Sequence, residues 1–281
     1  MSTALHGLPA GWVGTQVSST GSTNADLAAA GRAGAPHGTV LAADEQTAGR
    51  GRLGRRWVSP AGTAVAVSVL LRPPVEEPGW TWLPLLAGLA VTDALRELAP
   101  SLATVLKWPN DVLTAAGTTD GEEAKLAGIL SERVGPGGTG RPGAVVGIGL
   151  NVTVPAASFP PDAHATSLAA AGAGGPALDR DLLLRTLLTA LHTRYSSWTS
   201  GAGSASQRGP AGSGSVGDVA RDYRVRCATI GRRVRVQVGS GGATVVGVVT
   251  GVAADGALLV AGPDATTAVH AGDVHHLRGS R

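Results

Sequence analysis

Glu45-Gln46-Thr47-Ala48-Gly49-Arg50-Gly51-Arg52-Leu53-Gly54-Arg55-Arg56-Trp57 is the stretch on which the fold assignment turns. Its glycines at 49, 51 and 54 match G-x-G-x-x-G literally. A dinucleotide-binding βαβ unit needs a strand running straight into those glycines and a helix leaving them. Here the preceding apolar run, Val40 to Ala43, stops short of Gly49, and a polar stretch intervenes. After Gly54 the chain reads Arg55-Arg56-Trp57-Val58-Ser59-Pro60 and then turns β-like, not helical. The context excludes a Rossmann fold. What remains is a glycine loop carrying Arg50, Arg52, Arg55 and Arg56, with Asp44 and Glu45 the only acids nearby. Glycines let a ligand approach the backbone and its N–H groups, and guanidinium forks match phosphate or carboxylate. Trp57 adds a face on which a base could stack. The loop therefore suits nucleotide phosphates; composition alone equally allows a solvated basic loop or a nucleic-acid contact.

Upstream, a helix is expected near residues 23–31, where Thr23-Asn24-Ala25-Asp26 approximates a capping box with Asp in place of Glu. Residues 1–14 show no regular pattern and read as a short N-terminal extension. Downstream, Ala64 to Leu71 is apolar and β-rich, which predicts a buried strand. Trp82 to Leu98 carries Leu85, Leu86, Leu89, Ala90, Leu95 and Leu98 at helical spacing. Leu106-Lys107-Trp108 is expected to end a strand at Pro109, and Lys125 to Arg133 to form a second strand in a hairpin with it. The polar insert 114–124 lies between them. A third strand is expected over Val145 to Val154, and a long helix over Asp179 to Trp198. Residues 199–217 are rich in Gly, Ser and Ala, a linker composition. Several short β-runs with glycine turns then follow, from Arg232 to His270, which predicts a small β-barrel. The expected organisation is α+β: an extension over 1–14, a mixed sheet flanked by helices over 15–198, a linker over 199–225 and a β-domain over 226–281.

The 281 residues are 43% hydrophobic but only 3% aromatic, so aliphatic side chains must fill the core. A net charge of +3 is too mild to call for a polyanionic partner. One cysteine, Cys227, excludes an intrachain disulfide and a multi-cysteine metal site, which fits a reducing cytoplasm. The seven histidines show no metal spacing, and His275-His276 is expected at the surface. The N-terminus lacks the basic start and apolar run of a signal peptide, and the apolar runs are too short to span a bilayer. A cytoplasmic protein without membrane contact is the expectation.

Two lysines carry the chemistry. A lysine opening an apolar strand is often a snorkelling surface residue. A hairpin, however, would bring Lys107 and Lys125 to one end of the sheet, where two ammonium groups could neutralise a carboxylate and a nucleotide α-phosphate. Without them the two anions would repel by several kcal/mol at ~4 Å in a medium of moderate dielectric. Asn110 and Asp111 could hold Mg²⁺ or position an incoming amine.

Taken together, Ser22-Thr23-Asn24, the 45–57 loop, Lys107-Trp108-Pro109-Asn110-Asp111, Lys125-Leu126-Ala127-Gly128-Ile129-Leu130 and Gly147-Ile148-Gly149-Leu150-Asn151-Val152 resemble, block for block and in order, the catalytic domain of the biotin–protein ligases. Ala165-Thr166-Ser167-Leu168 extends the match, and the C-terminal β-domain resembles the family's SH3-like barrel. The resemblance implies a class II synthetase-like fold and two half-reactions. Biotin carboxylate attacks ATP at the α-phosphorus, and the resulting biotinyl-5′-AMP acylates a lysine of a biotin carboxyl carrier protein. It implies that Ser22, Thr23, Asn24, Gln46, Gly49, Gly51 and Gly128 border biotin and that Arg50 belongs to a loop closing over it. Arg52, Arg55 and Lys107 correspond to phosphate contacts, and Trp57 to an adenine platform. Lys125 corresponds to the bridge between biotin's carboxyl end and the α-phosphate. Asn110 and Asn151 correspond to nucleotide or Mg²⁺ ligands, and Asp111 to a group orienting the carrier amine. Read alone, Thr23 also suits a helix cap, Trp57 core packing and Asn151 a polar strand end.

Some family members carry an N-terminal winged-helix DNA-binding domain. Ser22 follows the start too closely for one, so no DNA binding or repressor role is expected, and the chain is expected as a monomer or weak homodimer. Two alternatives stay open at this stage. One is a lipoate–protein ligase of the same superfamily. The other is a non-catalytic nucleic-acid-binding module built on Arg50 to Arg56 and Arg221 to Arg235.

Overall fold

The computed structural model describes residues 2–115, 123–137, 140–160, 163–203, 216–239 and 242–277. Most of the 114–124 insert and of the 199–217 linker lies outside the described residues. The body is an eight-stranded sheet: β1 (Ser2–Ala4), β2 (Val13–Val17), β3 (Thr39–Ala43), β4 (Ala64–Leu71), β5 (Thr104–Lys107), β6 (Asp111–Thr114), β7 (Ala124–Val134) and β8 (Gly143–Asn151). Spatial order is β1-β2-β3-β4-β8-β7-β6-β5. Only β2 and β3 run parallel, so the sheet is mixed. Among the described residues four α-helices accompany it: α1 (Thr23–Arg32), α2 (Trp82–Leu98), α3 (Arg180–Gly203) and α4 (Val216–Arg226).

Every residue of β4 is buried, because both of its faces are covered. Val65, Val67, Val69 and Leu71 join Val146, Ile148 and Leu150 of β8 in a core shared with α2 and α3. The opposite face carries Leu70, Val145 and Val134, which pack under Leu27 and Ala28 of α1. That second cluster covers only one end of the face. Farther along the same face the strands offer Ser68, Gly128, Gly147 and Gly149, and there the sheet opens into a cavity. The period-two alternation of the strands thus separates the core from the site.

Four expectations change. Residues 1–14 are part of the body: β1 pairs antiparallel with β2, and Trp12 is buried in the main core. The sequence STA carries no apolar signal, and its pairing alone makes β1 a strand. The N-cap of α1 is Ser22, whose Oγ accepts from Ala25 N at 3.4 Å, which frees Thr23 for other contacts. Lys107 and Lys125 do not lie on neighbouring strands. The chain turns at Pro109-Asn110, through a cis Trp108–Pro109 bond, and places β6 between β5 and β7. Finally, α4 occupies the second half of the 199–225 segment, where Val219, Ala220 and Tyr223 are buried.

The C-terminal residues form a five-stranded antiparallel sheet of SH3-like type: β9 (Arg233–Gln237), β10 (Thr244–Val252), β11 (Leu258–Ala261), β12 (Thr266–Val269) and β13 (Asp273–His276), ordered β12-β11-β10-β9-β13. Its apolar face, with Val234, Val236, Val249 and Leu258, is continuous with the main core. Two indoles of the body pin it in place: Trp82 Nε1 donates to Ala254 O at 2.7 Å and Trp108 Nε1 to Gly256 O at 3.0 Å. No helix among the described residues is long and apolar enough to cross a membrane.

Candidate active site

One cavity of 1240 Å³ opens between the glycine-bearing face of the sheet, the 46–58 loop, residues 159–160 and 163–165, and the edge of the C-terminal sheet. Its inner end is a buried polar floor. Ser22, Thr23 and Asn24, at the N-terminus of α1, are each less than 5% exposed. Gln46 Oε1 accepts from Thr23 N at 2.9 Å and from Thr23 Oγ1 at 3.1 Å. Ser68 Oγ lies 2.8 Å from Thr23 Oγ1 and 2.6 Å from Asn24 Oδ1. Asn24 Nδ2 donates to Leu130 O at 3.1 Å and to Glu132 Oε2 at 2.9 Å. A floor of this kind discriminates by hydrogen bonding, since any ligand group left unmatched here carries a desolvation cost.

Glycines shape the space above that floor. A Cβ on Gly147 would fall on Asn24 Oδ1, and one on Gly149 would stand 2.5 Å from Trp57 Cε2. A Cβ on Gly128 would sit 3.1 Å from both Lys125 Nζ and Trp57 Cζ3. The indole of Trp57 therefore lies flat on a strip of bare backbone. Its Nε1, and Asn151 Oδ1, are buried without a hydrogen-bond partner in the protein. Both residues line the cavity, and buried polar atoms left unmatched beside it call for a ligand or water to explain them. Asn151 Nδ2 is meanwhile fixed by Thr166 O at 2.9 Å.

The arginine loop is a miniature hairpin. Gly51 N donates to Arg55 O at 2.7 Å and Trp57 N to Gly49 O at 2.9 Å, with Arg50 and Arg56 opposed. Leu53 and Gly54 turn its tip at positive φ, 55° and 73°. Arg50 Nη2 donates to Glu132 Oε2 at 2.8 Å, and Arg52 Nη1 to Asn110 Oδ1 at 3.3 Å. Burial pulls the Arg52 guanidinium below its ordinary pKa, against the opposing influence of Asp273 and Asp111. Across the cavity Lys125 Nζ lies 2.6 Å from Asp111 Oδ1 and 6.0 Å from the Trp57 ring centroid.

The cavity gathers Ser22, Thr23, Asn24, Gln46, Arg50, Gly51, Arg52, Arg55, Trp57, Lys107, Asn110, Asp111, Lys125, Gly128 and Asn151 from segments far apart in sequence. Gly49 does not line it; its carbonyl closes the loop, and a Cβ there would strike Trp57 O at 2.5 Å. Sequence reasoning missed the contribution of the C-terminal sheet. Arg55 pairs with both Asp273 oxygens at 3.3 Å, and Arg232 Nη1 donates to Glu123 Oε2 at 2.9 Å. His276, expected at the surface, is 17% exposed and lines the cavity, while His275 is exposed as expected. Burial first, then Lys107 and Arg232, push the His276 pKa down to about 4, so the ring is neutral near pH 7. Nothing local in the sequence flags these residues, because Asp273 and Glu123 answer arginines more than a hundred positions away and His276 meets Arg232 across 44. Among the described residues no group of three or more His, Cys, Asp or Glu is placed to hold a metal. The oxygen of Asn151 is one hard donor of the cavity without a hydrogen-bond partner in the protein.

The cations of Arg221 to Arg235 divide between internal partners and solvent, with Arg221, Arg233 and Arg235 exposed. Arg224 donates to Val252 O at 2.7 Å, Arg226 to Asp93 at 2.7 Å, and Arg232 to Glu123.

Residues 13–151 match the model of the biotin/lipoate A/B protein ligase family, and residues 229–277 match the biotin protein ligase C terminal domain. The chain is 41% identical to the biotin–[acetyl-CoA-carboxylase] ligase of Mycobacterium tuberculosis over 98% of its own length and 93% of that protein's. It is 35% identical to the bifunctional ligase/repressor BirA of Bacillus spizizenii over 64% of this chain and 51% of that protein. Among solved structures, the biotin protein ligase of Aquifex aeolicus in complex with biotin and ATP superposes with a TM-score of 0.72 at 25% identity, covering 95% of this chain and 99% of that one.

Proposed function

The chain belongs to the biotin/lipoate A/B protein ligase family, and from that premise we infer the chemistry of its cavity: it activates biotin with ATP and transfers it to a lysine of a carrier protein. One observation carries the assignment of roles. Arg50, Arg52, Lys107 and Lys125, from separate segments, converge on one cavity whose inner end is a neutral hydrogen-bonding floor. A neutral head and an anionic tail are the two ends of biotin.

In this reading the ureido and thiophane head rests on Ser22, Thr23, Asn24 and Gln46, and its carboxylate points toward Lys125. The ammonium then exchanges part of its contact with Asp111 for the carboxylate and the α-phosphate, so that both anions share one cation. A carboxylate oxygen forms the new bond to the α-phosphorus, the α–β phosphoanhydride bond breaks, and pyrophosphate leaves past Arg52, Arg55 and Lys107. Mg²⁺ bound with ATP would share the phosphate charge, and Asn151, whose Oδ1 has no hydrogen-bond partner in the protein, would help to hold it. The adenine lies on Trp57. In the second step a carrier lysine attacks the acyl carbon and AMP departs. Asp111, released from Lys125, then accepts a proton from the incoming ammonium and so delivers a neutral amine. The protein supplies no covalent nucleophile, because both nucleophiles come from the substrates. Its work is positioning and charge stabilisation.

The carrier is the biotin carboxyl carrier protein, or the equivalent domain, of a biotin-dependent carboxylase. The test is mass spectrometry of such a domain after incubation with the chain, biotin and Mg-ATP. One added biotinyl group on a single lysine is expected. Pyrophosphate release with lipoate and none with biotin would instead assign the lipoate activity.

A further inference from the structure

Glu132 stands on β7, outside every motif of the sequence, yet it joins the two halves of the site. Its Oε2 accepts from Arg50 Nη2 at 2.8 Å and from Asn24 Nδ2 at 2.9 Å. Arg50 belongs to the loop over the cavity, and Asn24 to the floor beneath it. An ionised carboxylate can only accept, so it dictates which end of the Asn24 amide faces it. With Nδ2 committed to Glu132 and to Leu130 O, Oδ1 is turned toward Ser68 Oγ, and through Ser68 to Thr23 and Gln46. A flipped amide would set oxygen against oxygen at Glu132 and at Leu130. On the other side the carboxylate gives Arg50 a charged anchor, which holds the 49–57 hairpin down at a point distinct from its Arg55–Asp273 contact.

We propose that Glu132 is a positioning residue of the activation step: it ties Arg50, and with it the loop, over the bound adenylate, and it fixes the amide of Asn24 in the orientation that receives the biotin head. The proposal rests on the reading of the cavity given above. Glu132 itself touches neither substrate; it acts through its two partners.

The shared oxygen makes the two effects separable. Glu132→Gln keeps an accepting oxygen where Oε2 stands and removes the charge, so Asn24 stays oriented while the Arg50 contact loses its charge assistance. Glu132→Ala removes both. Two readouts follow. Biotin affinity in the absence of ATP, by titration calorimetry, reports the floor. The rate at which labelled biotinyl-5′-AMP escapes from preloaded full-length protein reports the tether. Glu132→Gln is expected to bind biotin within about twofold of the parent and to lose adenylate several-fold faster; Glu132→Ala is expected to weaken biotin about tenfold as well. In the Arg50→Met background, Glu132→Gln is expected to add nothing to the escape rate, because its partner has gone. Adenylate retention by Glu132→Gln equal to the parent's, or an additive effect in the Arg50→Met background, would overturn the tether. Unchanged biotin affinity in a folded Glu132→Ala protein would overturn the role in the floor. If the parent chain makes no adenylate from biotin and ATP, the activity reading falls and this inference falls with it. If the parent does and both variants behave like it, this inference falls alone.

Discussion

Lys125→Met removes one charge and keeps most of the stem, and the structure separates what that does to stability from what it does to rate. Lys125 Nζ and Asp111 Oδ1 are 2.6 Å apart, and their side chains are 30% and 21% exposed. At an effective dielectric of about 20, two unit charges at about 4 Å attract by about 4 kcal/mol before desolvation and side-chain ordering are subtracted. Pairs that still see solvent keep roughly 1 kcal/mol of this. The melting temperature should therefore fall by only a few degrees. The reaction is affected far more. In the transition state the ammonium meets a carboxylate and an α-phosphate together, in a cavity that has shed much of its water. Losing one preorganised donor at developing charge costs about 3–4 kcal/mol, or roughly 10²–10³ in rate. The assay is single-turnover pyrophosphate release at saturating biotin and Mg-ATP, beside a thermal melt. Transfer from preformed biotinyl-5′-AMP to the carrier should fall less, because the anhydride already exists. An adenylation rate within tenfold of the parent's, from a protein that folds, would refute the charge argument.

Gly147→Ala drives a methyl group into Asn24 Oδ1 and so should weaken biotin binding by about tenfold or more while sparing ATP affinity, read by calorimetry with each ligand alone. Burial opposes ionisation of Asp93, but hydrogen bonds from Arg194 and Arg226 hold it below the usual carboxylate range, so Asp93→Asn, which takes the carboxylate from Arg226 and leaves Arg194 with Asp222 alone, should cost about 2–4 kcal/mol in urea unfolding. The same depressed pKa means that this contribution is present above the unfolded-state value near 3.8 and is lost as pH falls through the folded one. His276, lowered from 6.5 to about 4, binds fewer protons folded than unfolded across that interval, so its contribution is present above 6.5 and drains away as pH falls toward 4. Between about pH 7 and pH 5 this amounts to roughly 2 kcal/mol, which His276→Asn should remove from the pH dependence of the unfolding free energy.

How far the sequence could be read depended on whether the deciding interaction was local. Ala64–Leu71 and Trp82–Leu98 appear with the bounds their apolar patterns predict, because one is buried on both faces and the other packs nearly all round. The four residues of β6 gave no such signal: Pro109-Asn110 is ordinary turn chemistry, and what makes Asp111–Thr114 a strand is its neighbours on either side. In α4, mostly polar, the helix is held by Val219, Ala220 and Tyr223 against a core the linker composition does not announce. The site followed the same rule. Motif residues could be recognised because they lie in short contiguous blocks of sequence. Glu123, Glu132 and Asp273 could not, because each answers an arginine 82 to 218 positions away and no short-range pattern records the match.

The two indoles that reach into the C-terminal sheet bear on any attempt to produce the body by itself. Truncation after α3 would leave the N–H groups of Trp82 and Trp108 without their acceptors at Ala254 and Gly256, and would uncover the apolar surface around them. It would also strip one wall from the cavity, where Arg232 and His276 stand. Such a fragment should be sticky in solution and poor with nucleotide. The barrel is therefore better regarded as a missing side of the reaction vessel than as an appendage hung from it.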